Sequence, residues 1–226
     1  MRTLALGARG HEVEYLRRLL GDAGFISSSG CSADLFDESV ERAVRAFQQA
    51  RRGLAPDGVV APSTWLALGV RVWREHAIRL VPQVSDDTCW SAAASMVNGS
   101  SASIGPGQAR LGLHDSGLRP GAENLQAFAR SMGWRVPAHT PGAMEVVHLL
   151  QRQPLWLGLS HAHGWHALVL SGVYSDGAQA RRTMVRIHDP SPVGRGSIYP
   201  SFLDRIEGRS GTRRIPTTLQ YLLVPS

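Results

Sequence analysis

Apolar residues recur three and four positions apart near the start of the chain, at Val13, Leu16, Leu19, Leu20 and Ala23, with Arg and Glu between them. That spacing predicts one amphipathic helix, stopped at Gly24. A Ser/Gly loop from Ser27 to Ser32 follows. Phe36, Val40, Ala43, Val44 and Phe47 then form a second helical stripe, with Asp37 placed to cap it. Pro56-Asp57-Gly58 reads as a turn, and Pro62 opens a short third helix, because proline is tolerated at a first helical position. Three short helices around one small core are expected over residues 1–70.

From about Leu80 the period changes along the chain. Helices are predicted from Thr88 to Asn98, near Glu123 to Met132 and near Ala143 to Arg152. Strand-like runs follow at Pro154 to Ser160, Trp165 to Tyr174 and Thr183 to Asp189, with a last one at Leu219 to Val224. Helices first and strands later predict an α+β domain over residues 80–226. Residues 71–79 read as a short, partly ordered linker.

The 226 residues suffice for two small domains, and 43% apolar with 19% charged residues is ordinary for packed cores in water. No apolar run is long enough to span a bilayer. The net charge of +6 comes from arginine, since the chain has no lysine. Such a surface attracts polyanions, including nucleic acid, anionic lipid and the bacterial envelope. No basic run interleaved with aromatics and no zinc-finger spacing is present, so no nucleic-acid partner is expected. The opening MRTLALGARGHEVEYLRRLL brings charges too early for a signal peptide. Export by a specialised secretion system, or release by lysis, is the resulting expectation.

The candidate chemistry centres on "DDTCWSAAASMVN", residues 86–98. Cys89 stands where that helix should begin, and a helix N-terminus favours a thiolate nucleophile. Gln83, six residues upstream, is an uncharged amide suited to donate to an oxyanion. His166 opens an apolar strand and is the candidate base. Asp189 ends the next probable strand, stopped by Pro190, and would orient the imidazole. Trp90, His163 and Trp165 are expected as substrate contacts lining the cleft. His188, alternating to the other face of its strand, reads as a surface residue. His161, His163 and His166 lie close in sequence, but without nearby carboxylate or thiolate ligands no metal is expected, and no cofactor. A bridge between Cys89 and Cys31, the second cysteine, would disarm the nucleophile.

Two family resemblances emerge from these residues. Leu6-Gly7-Ala8-Arg9-Gly10 with Val13 and Leu16, Phe36, Ala43 to Gln48, Pro56 to Val60 and Thr64-Trp65 resemble the three-helix peptidoglycan-binding domain found beside cell-wall hydrolases. Ala33-Asp34-Leu35 and Ala61 depart from that family's usual turns. Gln83 with Cys89-Trp90, the alanine-rich helix, His166-Ala167 and Asp189-Pro190 resemble papain-like cysteine peptidases of the compact bacterial AvrRpt2-like and C39-like branch. Asp87-Thr88 before the cysteine, and Asp189 in place of an asparagine, fit that branch better than papain itself.

Together the resemblances imply a small three-helix bundle followed by a papain-like α+β domain, whose cysteine-bearing helix packs on an antiparallel sheet. The implied function is a monomeric, cell-wall-targeted cysteine hydrolase cutting an amide in peptidoglycan stem peptides or cross-links. An antibacterial effector countered by a cognate immunity protein would use such chemistry. The alternatives are a protease acting on envelope or host proteins, a phage-type lysin, and a non-catalytic envelope adaptor.

Overall fold

The computed structural model describes residues 2–27, 34–99, 118, 122–161, 164–203, 207–210, 213–216 and 219–225. Most of the Ser/Gly loop, including Cys31, lies outside them, as does His163. The chain forms two compact units, one of Met1–Trp73 with Tyr174–Ala178, the other of Arg74–Val173 with Gln179–Ser226.

In the first unit α1 spans His11–Asp22, α2 Glu38–Gln49 and α3 Pro62–Ala67. Val13, Leu16, Leu19 and Leu20 of α1 are buried, as are Val40, Val44 and Phe47 of α2. Ala23, expected in the α1 stripe, is instead the exposed residue that caps the helix C-terminus. The predicted cap at Asp37 forms, its carboxylate accepting from Val40 N at 3.0 Å. Gln48 is buried and joins the Pro-Asp-Gly turn to α2. Its Nε2 donates to Val59 O (2.8 Å) and Asp57 Oδ1 (3.1 Å), while its Oε1 accepts from Gly58 N (2.9 Å). Tyr15 stacks on Trp65 with ring centroids 6.0 Å apart. Arg71 N donates to Ser175 O, and Trp73 meets Tyr174 edge-on.

The second unit is built on an antiparallel sheet in the order β5-β4-β3-β2-β8, with β1 pairing β3. The strands are β1 Val72–Glu75, β2 Leu155–His161, β3 Gly164–Ser175, β4 Met184–Asp189, β5 Ser197–Phe202 and β8 Leu219–Leu223. β6 (Glu207–Ser210) and β7 (Arg213–Pro216) form a separate pair. The helices are α4 Cys89–Val97, α5 Ala122–Met132 and α6 Ala143–Arg152. α4 packs against β2. Its core holds Trp90, Ala92, Ala93 and Ala94 with Phe128, Trp156 and Val169.

Alanine side chains are short, so the backbone of α4 can lie close to the sheet. Trp156 Nε1 donates to Trp90 O at 3.1 Å within this core. Four strands, β1, β5, β6 and β7, fall where none is predicted. β1 sits in what reads as linker, and β5 carries Pro200, which a sheet tolerates at an edge, where β5 lies. Among the described residues no helix is long and apolar enough to cross a membrane.

Candidate active site

Cys89 is the first residue of α4, so its thiol meets the partly positive end of the helix. Thr88, just before it, does not cap the helix with its side chain. Its Oγ1 accepts instead from Val84 N (3.1 Å) and Ser85 N (3.0 Å), which braces the preceding turn and does not occupy the first-turn amides. Cys89 is buried, 7% exposed, at the edge of the core formed with Trp90 and the alanines of α4.

His166, on β3, reaches Asp189 at the end of β4, with Nε2 2.6 Å from Oδ1. The imidazole also hydrogen-bonds the Cys89 thiol. Because Nε2 is committed to the carboxylate, the thiol is left with Nδ1. Burial works against charge on the ring, yet the hydrogen bonds to Asp189 and Cys89 outweigh it and push His166 from 6.5 up to about 10. The ring therefore holds two protons across neutral pH.

Asp189 is fully buried, and each of its oxygens accepts hydrogen bonds. Ser191 N donates to Oδ1 at 2.8 Å and Tyr199 Oη to Oδ2 at 3.0 Å. Neither donor is evident from the sequence pattern, since Tyr199 lies on the proline-bearing edge strand.

Gln83 joins this network through its backbone. Its N–H donates to Pro190 O (3.0 Å) and its carbonyl accepts from Gly194 N (2.8 Å), lacing the segment before Cys89 to the loop after Asp189. That loop returns through Gly196 at φ +62, where a Cβ would lie 3.1 Å from both Asp189 O and Leu80. The Gln83 side chain is 4% exposed, and its Oε1 has no partner among the described residues.

The structure thus brings Cys89, His166 and Asp189 together and sets Gln83 beside them. Trp90 is placed differently from the expected cleft contact, since it is 2% exposed and its ring packs edge-on against Phe128, so it is a core residue. Trp165 is half-buried and lies over Gly158, where an added Cβ would come within 2.7 Å of the indole. His163 lies outside the described residues. Among the described residues no group of three His, Cys, Asp or Glu side chains converges as a metal site.

His188 is a correction too: it is fully buried, not a surface residue. The outward face of β4 is covered, and Ser171 Oγ lies 2.8 Å from His188 Nδ1. Since Ser171 donates its one proton to Arg186 O, it accepts from His188 Nδ1–H. Burial, reinforced by the Arg186 charge and only partly offset by the Ile78 carbonyl, depresses His188 from 6.5 to about 4. Between those pH values the unfolded chain binds a proton that the folded chain does not. Stability should therefore fall by about 3 kcal/mol as pH drops across this window. Urea midpoints at pH 7 and pH 4.5 check this, with His188→Gln expected to flatten the dependence.

Comparison with known proteins places these residues in a wider setting. Residues 74–202 match the family described as "Papain-like cysteine protease AvrRpt2". Residues 9–68 match the "Putative peptidoglycan binding domain". No curated protein matches the chain. Among solved structures it is similar to a Burkholderia AP3 phage endolysin at 22% identity, over 70% of this chain and 45% of that one. The TM-score is 0.26, too low a superposition for fold or function to be inferred from it.

Proposed function

The chain belongs to the papain-like cysteine proteases of the AvrRpt2 family, whose match covers more than half of it, and from that premise we propose that Cys89, His166 and Asp189 form its catalytic triad. The observation that carries the reading is the single hydrogen-bonded chain from the thiol at a helix N-terminus, through one imidazole, to a buried carboxylate. A cysteine peptidase needs those three roles filled in that order.

In the proposed reaction the Cys89 sulfur attacks the amide carbonyl carbon. The oxygen takes the negative charge, facing the first-turn amides of α4 and the Gln83 side-chain amide. His166 then gives its Nδ1 proton to the leaving nitrogen, the C–N bond breaks, and a thioester remains on Cys89. Water next gives a proton to His166 as its oxygen attacks the thioester. The carboxylic product leaves as the C–S bond breaks, and the thiolate–imidazolium pair is restored. Asp189 holds Nε2–H throughout and so fixes which ring nitrogen meets the sulfur. Trp165, half-buried over Gly158, and His163 are the proposed substrate contacts.

The substrate we propose is an amide of peptidoglycan, in a stem peptide or cross-link. Support comes from the peptidoglycan-binding match at residues 9–68, on the same chain as the hydrolase. A module that holds the wall raises the local concentration of its amides. Purified peptidoglycan incubated with the full chain should release new amino groups and shortened peptides, and Cys89→Ala should release none. A full chain that leaves peptidoglycan intact while cutting proteins would move the substrate to protein.

A further inference from the structure

Beyond the triad, Asp189 is held by a group that the reaction above does not use. Tyr199 lies on β5 opposite Ile187, two residues before Asp189 on β4. Side chains alternate along a strand, so Asp189 and Tyr199 share one face as diagonal cross-strand neighbours. The Tyr199 hydroxyl donates to Asp189 Oδ2 at 3.0 Å, while Oδ1 receives His166 Nε2 and Ser191 N. Both Asp189 and Tyr199 are buried, so bulk water does not compete for that oxygen. Along β4 itself, Arg186 and His188 alternate to the opposite face. The groups that meet the carboxylate are His166 from β3, Tyr199 from β5 and the Ser191 amide, with Cys89 behind the imidazole.

We infer that Tyr199 is a positioning residue for this reaction, its hydroxyl keeping Asp189 turned so that the carboxylate faces His166 Nε2 and the imidazole presents Nδ1 to Cys89. A carboxylate bound through one oxygen alone can swing about its Cα–Cβ and Cβ–Cγ bonds. Bound through both, it cannot turn away from the ring without breaking a buried hydrogen bond. The phenol thus acts on the sulfur through two intermediaries and touches no substrate. This inference rests on the triad proposed above.

Tyr199→Phe keeps the ring and removes only the donor, so the core around β5 is retained. Alkylation of Cys89 by iodoacetate, followed on the Cys89 peptide by mass spectrometry across pH, reads the charged imidazole without needing any substrate. In Tyr199→Phe the alkaline fall of that rate should move down by about one pH unit. Hydrolysis should show kcat reduced about tenfold with KM unchanged. Melting temperature and circular dichroism should stay near those of the wild type. In an Asp189→Asn background, Tyr199→Phe should shift neither readout further, as residues acting through one another are not additive.

A Tyr199→Phe profile superimposed on a wild-type profile that does depend on His166 would overturn the positioning role and leave the triad standing. A wild-type profile that His166→Ala leaves unchanged would overturn the triad, and the role of Tyr199 with it.

Discussion

Cys89→Ala is expected to lower amide hydrolysis by at least about 10⁴-fold, because no covalent intermediate can form without the sulfur. The fold should survive. Cys89 is a buried residue at the head of α4, and replacing it by alanine removes a single sulfur atom, so the cavity left is small. Melting temperature should therefore stay close to wild type, and retention on peptidoglycan should be unchanged. Measuring kcat/KM beside thermal melts and wall sedimentation separates these quantities. Residual activity within a hundredfold of wild type would sink the nucleophile assignment.

Asp189→Asn attacks the other end of the same chain of hydrogen bonds, and kcat should fall by roughly 10³- to 10⁴-fold, through loss of the correct imidazole orientation. Stability should change with a definite sign. His166 rises from 6.5 to about 10 on folding, with Asp189 the strongest of the groups raising it. The stabilisation it contributes is fully present below pH 6.5 and is lost as pH rises through about 10. Wild type should accordingly exceed Asp189→Asn by about 3 kcal/mol at pH 7, since the carboxylate partner of a buried charge has been removed. That gap should narrow above pH 10. Urea unfolding at pH 7 and pH 10.5 measures both ends, and an equal gap at the two values would rule out His166 as the linked group.

Much of the helical architecture is legible in residue order because helix signals are local. The stripes that place α1 and α2, the Asp37 cap and Pro62 at the head of α3 all act within a few residues, and each appears where expected. The same holds for α4, where an apolar run begins at Cys89, and for β4, which Pro190 ends just after Asp189. β1, β5, β6 and β7 were not legible. A four-residue strand carries too few positions for its alternation to stand out, and Pro200 argues against a strand unless the edge location is already known.

For the candidate site, the residue types and their order pointed to one thiol, one imidazole, one carboxylate and one amide, since each has a chemical task few other side chains can perform. Burial and partners were decided only by tertiary packing. His188 alternates away from Asp189 as strand geometry requires, but whether that face meets solvent or protein depends on what covers the sheet, and here it is covered. Trp90 sits beside the nucleophile in sequence, yet the 100° step between helix residues turns it into the core against Phe128. Tyr199 meets Asp189 only because β5 pairs with β4 in a particular register, and Gln83 meets Pro190 only through a loop closing over more than a hundred residues. The sequence by itself determined the local elements and the inventory of reactive groups, whose causes lie within one helical turn or one strand. Tertiary structure alone decided which of those groups are dry, held and adjacent, because burial and long-range hydrogen bonds exist only once distant segments have packed.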